Sequence, residues 1–158
     1  MHQGVELGLS HLYARQIDSR MALLYSDFKF VDNSAYGNNQ LPGFPPVIVR
    51  AESLYRFGAE VNGKPSFYAG PKIEWVPRKA PIDNTNSVYR DGYTLVGFKA
   101  GQAIDKKWSW FADARNLTNK KYAADSSISA NLGGVNTAAL YYPGDGRAIY
   151  FGIEAKID

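Results

Sequence analysis

Cysteine is absent from this 158-residue chain, and histidine occurs only as His2 and His11. Disulfides, thiol catalysis and cysteine-based metal sites are therefore excluded. Two histidines with no cysteine do not make a preformed transition-metal centre, so no metal ligand is nominated. A Ser-His-acid triad would have to rely on His11, and no Gly-x-Ser-x-Gly turn presents a nucleophile. Phosphate-cradling glycine loops are missing as well; Gly144-Asp145-Gly146 reads as a turn ahead of a strand. The sequence nominates no catalytic residue and no cofactor.

Long hydrophobic runs are also lacking, none approaching the roughly 20 residues of a membrane helix. A mean hydropathy of −0.33 is that of a soluble chain. A membrane β-barrel has the same mild value, because only alternate residues face lipid. Composition thus leaves both classes open, with 45% hydrophobic and 14% aromatic residues, including 11 Tyr, and 15 Gly. The net charge of +3 comes from scattered basic residues, which argues against a nucleic-acid partner. Residues 1–7 carry no secretory leader pattern.

What the chain does have is period-two alternation, the mark of half-buried strands. Residues 148–157 place Ile149, Phe151, Ile153, Ala155 and Ile157 on one face, with Tyr150, Gly152, Glu154 and Lys156 on the other. Residues 108–115 alternate in the same way. Further strands are predicted over 5–10, 18–30, 47–57, 65–77 and 92–103. In 18–30 the outward set is Met21, Leu23 and Tyr25. Pro71 lies inside a strand, where it removes a ladder donor, and a bulge is expected there. The outward apolar surface should carry Val47, Val49, Ile73, Trp75, Val96, Phe98, Trp110 and Ala112 with the residues of the last strand. Turns fall at 14–16, 58–64 and 104–107, and long loops at 31–46, 78–91 and 117–146. Short and long connections alternate strictly, which matches the asymmetry of outer-membrane barrels. Tyr25, Trp75, Tyr93 and Trp108 stand near strand ends, where interfacial aromatics belong.

Two motifs in the last third carry a resemblance. Phe111-Ala112-Asp113-Ala114-Arg115-Asn116-Leu117-Thr118-Asn119-Lys120-Lys121-Tyr122 is followed by Tyr142-Pro143-Gly144-Asp145-Gly146-Arg147 and a closing strand with Phe151-Gly152. This resembles the C-terminal end of TonB-dependent outer-membrane receptors, in the family's order. Asn116, Leu117, Tyr122, Pro143, Gly144, Arg147, Phe151 and Gly152 are the motif positions. The resemblance implies an all-β fold, an antiparallel meander of about seven long strands within a 22-stranded transmembrane barrel. Residues 1–158 would be the C-terminal part of that barrel, with the plug domain and N-terminal strands lying outside the chain. It also implies a non-enzymatic role in the bacterial outer membrane: uptake of a metal chelate, most often a ferric siderophore, driven by the TonB energising complex through the missing N-terminal region. The partners implied are outer-membrane lipid, the chelate and that complex. In such a context Asn116-Leu117-Thr118 is a chance match to a glycosylation acceptor.

The polar face is expected to line the lumen through Arg50, Glu52, Lys72, Glu74, Lys99, Asp113, Arg115 and Glu154. Tyr36, Asn38, Asn39, Tyr89, Arg90, Tyr141 and Tyr142 stand on long loops at one end and are the candidate chelate-binding groups. Tyrosine offers a stacking face with a polar tip, and arginine a planar cation for carboxylate or catecholate oxygens. Two other readings stay open at this point: a small complete outer-membrane barrel used for structure or adhesion, and a soluble barrel holding a small ligand. An exported protein without a leader is expected to be a piece of something longer. The ending Lys156-Ile157-Asp158 departs from the aromatic residue with which such barrels usually close.

Overall fold

A computed structural model describes residues 1–132 and 140–157. Part of the third long loop and Asp158, which belongs to the chain end noted above, lie outside the described residues. Seven long strands run along the chain: β1 (His2–Tyr13), β2 (Ile17–Phe28), β3 (Val47–Val61), β4 (Lys64–Val76), β7 (Tyr93–Ala103), β8 (Trp108–Arg115) and β11 (Ala148–Ala155). Each pairs antiparallel with its neighbour in the order β1-β2-β3-β4-β7-β8-β11, a meander with β1 and β11 at its two edges. No α-helix occurs among the described residues.

The pairing register settles the faces. Leu7↔Leu23, Leu23↔Val49, Val49↔Trp75, Ile73↔Val96, Phe98↔Ala114, Ala100↔Ala112, Ala112↔Phe151 and Trp110↔Ile153 are direct partners. The expected apolar residues therefore form one continuous surface. Ile149, Phe151 and Ile153 remain 65–72% exposed, a cost in water that disappears in lipid. At the short-turn end Tyr55, Phe57 and Phe67 stack in series, with ring centroids 5.7 and 5.4 Å apart, on the same surface.

Several expectations are corrected. The strand predicted over 5–10 extends to the whole of β1. The turn predicted over 58–64 shrinks to Asn62-Gly63, both with positive φ (54° and 72°), because Asn-Gly is the residue pair a two-residue hairpin demands. No bulge occurs at Pro71. The β4–β7 register runs through Pro71↔Phe98 unshifted, and the β3–β4 ladder lapses between Glu52↔Lys72 and Tyr55↔Ala69, opposite the missing N–H. The bulge stands instead between Phe57 and Glu60, where Gly58 adopts φ +90°. Tyr25, Trp75 and Trp108 face outward, but Tyr93 pairs with Val76 on the inner face and donates its hydroxyl to Glu74 at 2.8 Å.

The long loops carry structure that alternation did not signal. β5 (Ala80–Pro81) pairs with β6 (Tyr89–Arg90), and β9 (Ala123–Ser126) with β10 (Tyr141–Pro143). The largest fully buried side chains, Ile82, Asp83 and Pro81, lie here and not in the sheet. This small core beside the strand ends fixes the candidate site.

Candidate functional site

In a meander with alternating connections, residues 29–46, 77–92, 116–132 and 140–147 all emerge at one end, and hydrogen bonds tie the loops together there. Gly43 N–H donates to the Pro81 carbonyl at 2.8 Å, and Asn39 Nδ2 to the Asn84 carbonyl at 2.9 Å. Gln40 and Asn86 exchange two bonds of 2.9 Å. Asn84 N–H donates to Ser129 (3.1 Å) and Ser129 N–H to Ile82 (3.2 Å), which joins the second loop to the third.

Asp83 is the hub of this platform, with no accessible surface. Its carboxylate accepts from Thr85 Oγ1 (2.6 Å), from the Ser87 hydroxyl (2.5 Å) and amide (2.9 Å), and from the Val88 and Leu132 amides (3.2 Å each). Burial alone would push its pKa up; the Ser87 and Thr85 hydroxyls and the Val88 and Leu132 amides outweigh that and hold it at about 2. This residue was not nominated from sequence, although Asp83-Asn84-Thr85-Asn86-Ser87 has the composition of a turn that satisfies its own backbone.

The seven loop candidates divide by environment. Asn38 and Tyr142 are exposed, and Tyr36 is half-buried against Phe30 with centroids 5.1 Å apart. Tyr142 shares a 3.0 Å bond with Ser127. Asn39, as above, bridges two loops. The Tyr141 hydroxyl donates to the Tyr89 carbonyl at 3.0 Å, while Lys79 sits 4.1 Å above the Tyr89 ring. Arg90 is 6% exposed and its guanidinium donates to the Ala124 carbonyl, tying the second loop to the third instead of offering an open cation.

On the inner face the charged side chains pair, some across the ladder and some along one strand. Arg50 Nε lies 2.6 Å from Glu74, and Arg115 Nε 3.0 Å from Asp113, which Lys72 also contacts. Lys99 reaches Glu52 at 4.0 Å, and Arg20 and Arg56 share Asp18 at 3.1 and 2.9 Å. Glu154 stands exposed opposite Ser109. A cleft of about 560 Å³ runs over this face beneath the loops, lined among others by Arg20, Arg50, Glu74, Arg115, Tyr122 and Asp145. This is a wall on which most of the charge is compensated by ion pairs.

The two sequence motifs meet where β8 ends and β11 begins. Asn116, 3% exposed at φ +49°, donates through Nδ2 to the Lys120 and Asp145 carbonyls (2.9 and 2.8 Å) and accepts from the Lys120 amide at 2.8 Å. Leu117 N–H bonds the Val96 carbonyl at 2.8 Å, and Asn119 Oδ1 accepts from the Arg147 amide at 3.2 Å. Tyr122 lies flat against Gly144, whose amide donates to the Tyr122 carbonyl at 2.9 Å. Phe111 covers Gly152 in the same manner. Pro143 closes β10 at a register shift.

No curated protein matches the chain. Among solved structures, the siderophore receptor PiuA of Acinetobacter baumannii superposes with a TM-score of 0.70 at 20% identity, covering 97% of this chain and 21% of PiuA. The ferric yersiniabactin uptake receptor FyuA of Yersinia pestis gives 0.76 at 14% identity, with 98% and 23% covered, and the copper transporter OprC gives 0.73 at 18%, with 99% and 24% covered. At these identities the likeness is one of fold, and the chain spans between a fifth and a quarter of those proteins. The family described as "TonB dependent receptor-like, beta-barrel" matches residues 1–117. With nearly three quarters of its residues inside that match, the chain belongs to the TonB-dependent receptor β-barrel family.

Proposed function

We propose that residues 1–158 form the C-terminal wall of a 22-stranded outer-membrane receptor that takes up a metal chelate, a ferric siderophore in the first instance. The plug and the remaining strands lie outside these residues, and coupling to the TonB energising complex runs through that outside region. The outward face meets membrane lipid. The platform of loops carries the chelate-facing groups, with Tyr36, Asn38 and Tyr142 as its accessible members and Asn39, Tyr89, Arg90 and Tyr141 as its frame. Arg50, Glu52, Lys72, Glu74, Lys99, Asp113, Arg115 and Glu154 line the passage.

The observation that carries this reading is the separation of faces across seven paired strands: apolar and exposed on one side, charged and ion-paired on the other. A soluble sandwich or lipid-free barrel would turn its apolar face inward. A small closed barrel needs its first and last strands paired, whereas β1 pairs with β2 alone and β11 with β8 alone among the described residues.

Spin labels at Phe98 and Ile153 test the reading. In bilayers both should be broadened by a lipid-soluble relaxant and spared by an aqueous one, with a label at Lys99 behaving oppositely. Aqueous access at Phe98 and Ile153 would overturn it. Accumulation of radiolabelled iron from a ferric siderophore, with a copper arm beside it, then tests the cargo in cells making the whole receptor.

A further inference from the structure

Arg90 is the one lysine or arginine that is buried among the described residues, and it lacks a carboxylate. The inner-face cations Arg50, Arg56, Lys72 and Arg115 are more exposed, and each contacts an acid. Among the described residues no carboxylate lies within ion-pair distance of Arg90, whose guanidinium donates to the Ala124 carbonyl and to no other group. The buried Asp83 carboxylate is taken up by hydroxyls and amides. Asp125 is exposed and accepts the Ser126 amide at 2.8 Å. A guanidinium removed from water without a counter-charge is costly, and one carbonyl replaces only part of its hydration.

A second orphan faces it. Ser126 is 6% exposed, and its Oγ is the one buried side-chain polar atom without a hydrogen-bond partner among the described residues. Ser126 pairs with Tyr141 across the β9–β10 ladder, so their side chains share a face. The Tyr141 hydroxyl reaches the Tyr89 carbonyl, which turns that face toward β6, where Arg90 follows Tyr89. Arg90 in turn meets the carbonyl of Ala124, two residues before Ser126. An uncompensated cation and an unpaired hydroxyl thus converge on one enclosed spot between the second and third loops. Lys79, 4.1 Å above the Tyr89 ring, adds to the positive potential there.

We infer that Arg90 and the Ser126 hydroxyl hold a small monovalent inorganic anion, chloride, as a structural ion that locks the β9–β10 hairpin to β6. Both groups donate, and one negative charge matches the one uncompensated cation. Water in the same spot would satisfy the hydroxyl but leave the guanidinium without a counter-charge. A chelate is too large to reach two residues that are each 6% exposed. The ion is therefore separate from any cargo and does not rest on the transport reading; it sets how the second and third loops sit against each other.

The test is hydrogen exchange, read by mass spectrometry on the intact receptor containing residues 1–158, in sodium chloride against sodium gluconate at equal ionic strength. Gluconate is too bulky for the spot and serves as the anion that does not bind. Protection of segments 80–91 and 123–127 should rise as one plus the ratio of chloride to its dissociation constant, about elevenfold at ten times that constant. Segment 108–115 of the sheet should not respond. Ser126→Ala should raise the chloride needed by about tenfold, the loss of one hydrogen bond to a charged group. Arg90→Lys, which keeps the charge without the planar fork, should raise it as well. Should the Arg90 variant misfold, Ser126→Ala and the wild-type protein still decide the matter. Crystals of the wild-type receptor grown in bromide give the direct reading, an anomalous peak within hydrogen-bond reach of both Arg90 and Ser126. Equal protection in chloride and gluconate, a Ser126→Ala response matching wild type, or bromide-grown crystals without that peak each overturn the proposal.

Discussion

Lys72 lies across Gly97. A methyl group at position 97 would stand 2.7 Å from Lys72 Cε and 3.0 Å from its Cγ, so the lysine stem passes over the one residue on β7 that leaves it room to reach Asp113 on β8. Lys99 makes the opposite traverse, from β7 over β4, where its cross-strand partner is Gly70, to Glu52 on β3. Glycines on the inner face are thus what lets charges pair two strands apart. Tyr68 over Gly101 and Phe111 over Gly152 use the same device with rings.

Gly97→Val should therefore destabilise the sheet by about 1–3 kcal/mol, the usual cost of overpacking, and release Lys72 from Asp113. Part of that cost persists without the lysine, because the new Cβ also meets the Ala114 carbonyl at 2.6 Å. Urea unfolding from detergent or vesicles should show Gly97→Val and Lys72→Ala combining with less than the sum of their separate effects. Full additivity would show that Lys72 does not depend on the space at Gly97.

The loop platform should respond to acid through Asp83. Its pKa of about 2 lies below the ordinary carboxylate value of 3.8, so ionised Asp83 stabilises the platform by about 2 kcal/mol. The sign follows from a depressed value: the stabilisation is complete above about pH 4 and is lost as pH falls toward 2. Protection of the Val88 and Leu132 amides, relative to their intrinsic exchange rates, should fall over that window. Asp83→Asn should remove the pH dependence and leave the amides exchanging faster throughout. A wild-type protein whose Val88 and Leu132 protection is flat between pH 5 and pH 2 would contradict the assignment.

How far the sequence carried this reading depended on the kind of signal. Residues 108–115 and 148–157 alternate strictly, and their faces were legible because strand geometry leaves one solution. Pro71 was misplaced because a missing donor can be absorbed by a lapsed ladder as well as by a bulge, and only the β3 partner decides which. Tyr93 was read as an interfacial ring from its position near a strand end, but facing is set by parity, which puts it with Glu74. Arg90 looked like an open cation because its acceptor, the Ala124 carbonyl, lies 34 residues away in the chain. β5 and β9 left no pattern at all, since two to four residues are too few to alternate.

Asn116→Asp should be among the most damaging single-atom changes. Nδ2 donates to two carbonyls, and a carboxylate there would oppose both with like partial charge at a site 3% exposed. Leaving those acceptors unpaired costs about 1–3 kcal/mol, more with a buried charge. Asn116→Ala should cost less than Asn116→Asp at neutral pH, and protonation of the new carboxyl at acid pH should narrow the gap. Chemical unfolding of the two variants at both pH values reads this out; an Asp variant as stable as wild type would remove Asn116 from the role given to it.

The outer face offers a sharper contrast between lipid and water. Ile153 is 65% exposed and lies on the apolar surface, on the edge strand β11. Ile153→Arg should cost roughly 2–4 kcal/mol of stability in a bilayer, the price of a cation at the membrane midplane. The same change in Phe111, on the inner face and 40% exposed, places the cation away from the apolar surface and should cost less. Unfolding midpoints in thin and thick bilayers distinguish the two, and equal penalties would deny the assignment of faces.

Residues 1–158 expressed alone should behave as a wall with two open edges. β1 has all twelve residues exposed, and among the described residues β11 pairs on one side only, with β8. Seven antiparallel strands make an odd count, so β1 and β11 would run parallel if they met, against the even-numbered antiparallel closure of single-chain bacterial barrels. In hydrocarbon each unpaired backbone group costs several kcal/mol, which forbids stable insertion of an open sheet; in water the same edges recruit other edges. The isolated segment should therefore aggregate or require detergent, transport nothing, and bind ferric siderophores more weakly than micromolar. Sedimentation without detergent and siderophore titration in detergent measure both. A monodisperse, detergent-free monomer whose β1 and β11 amides are mutually protected from exchange would mean the sheet closes on itself, and the passage would then be complete within these residues.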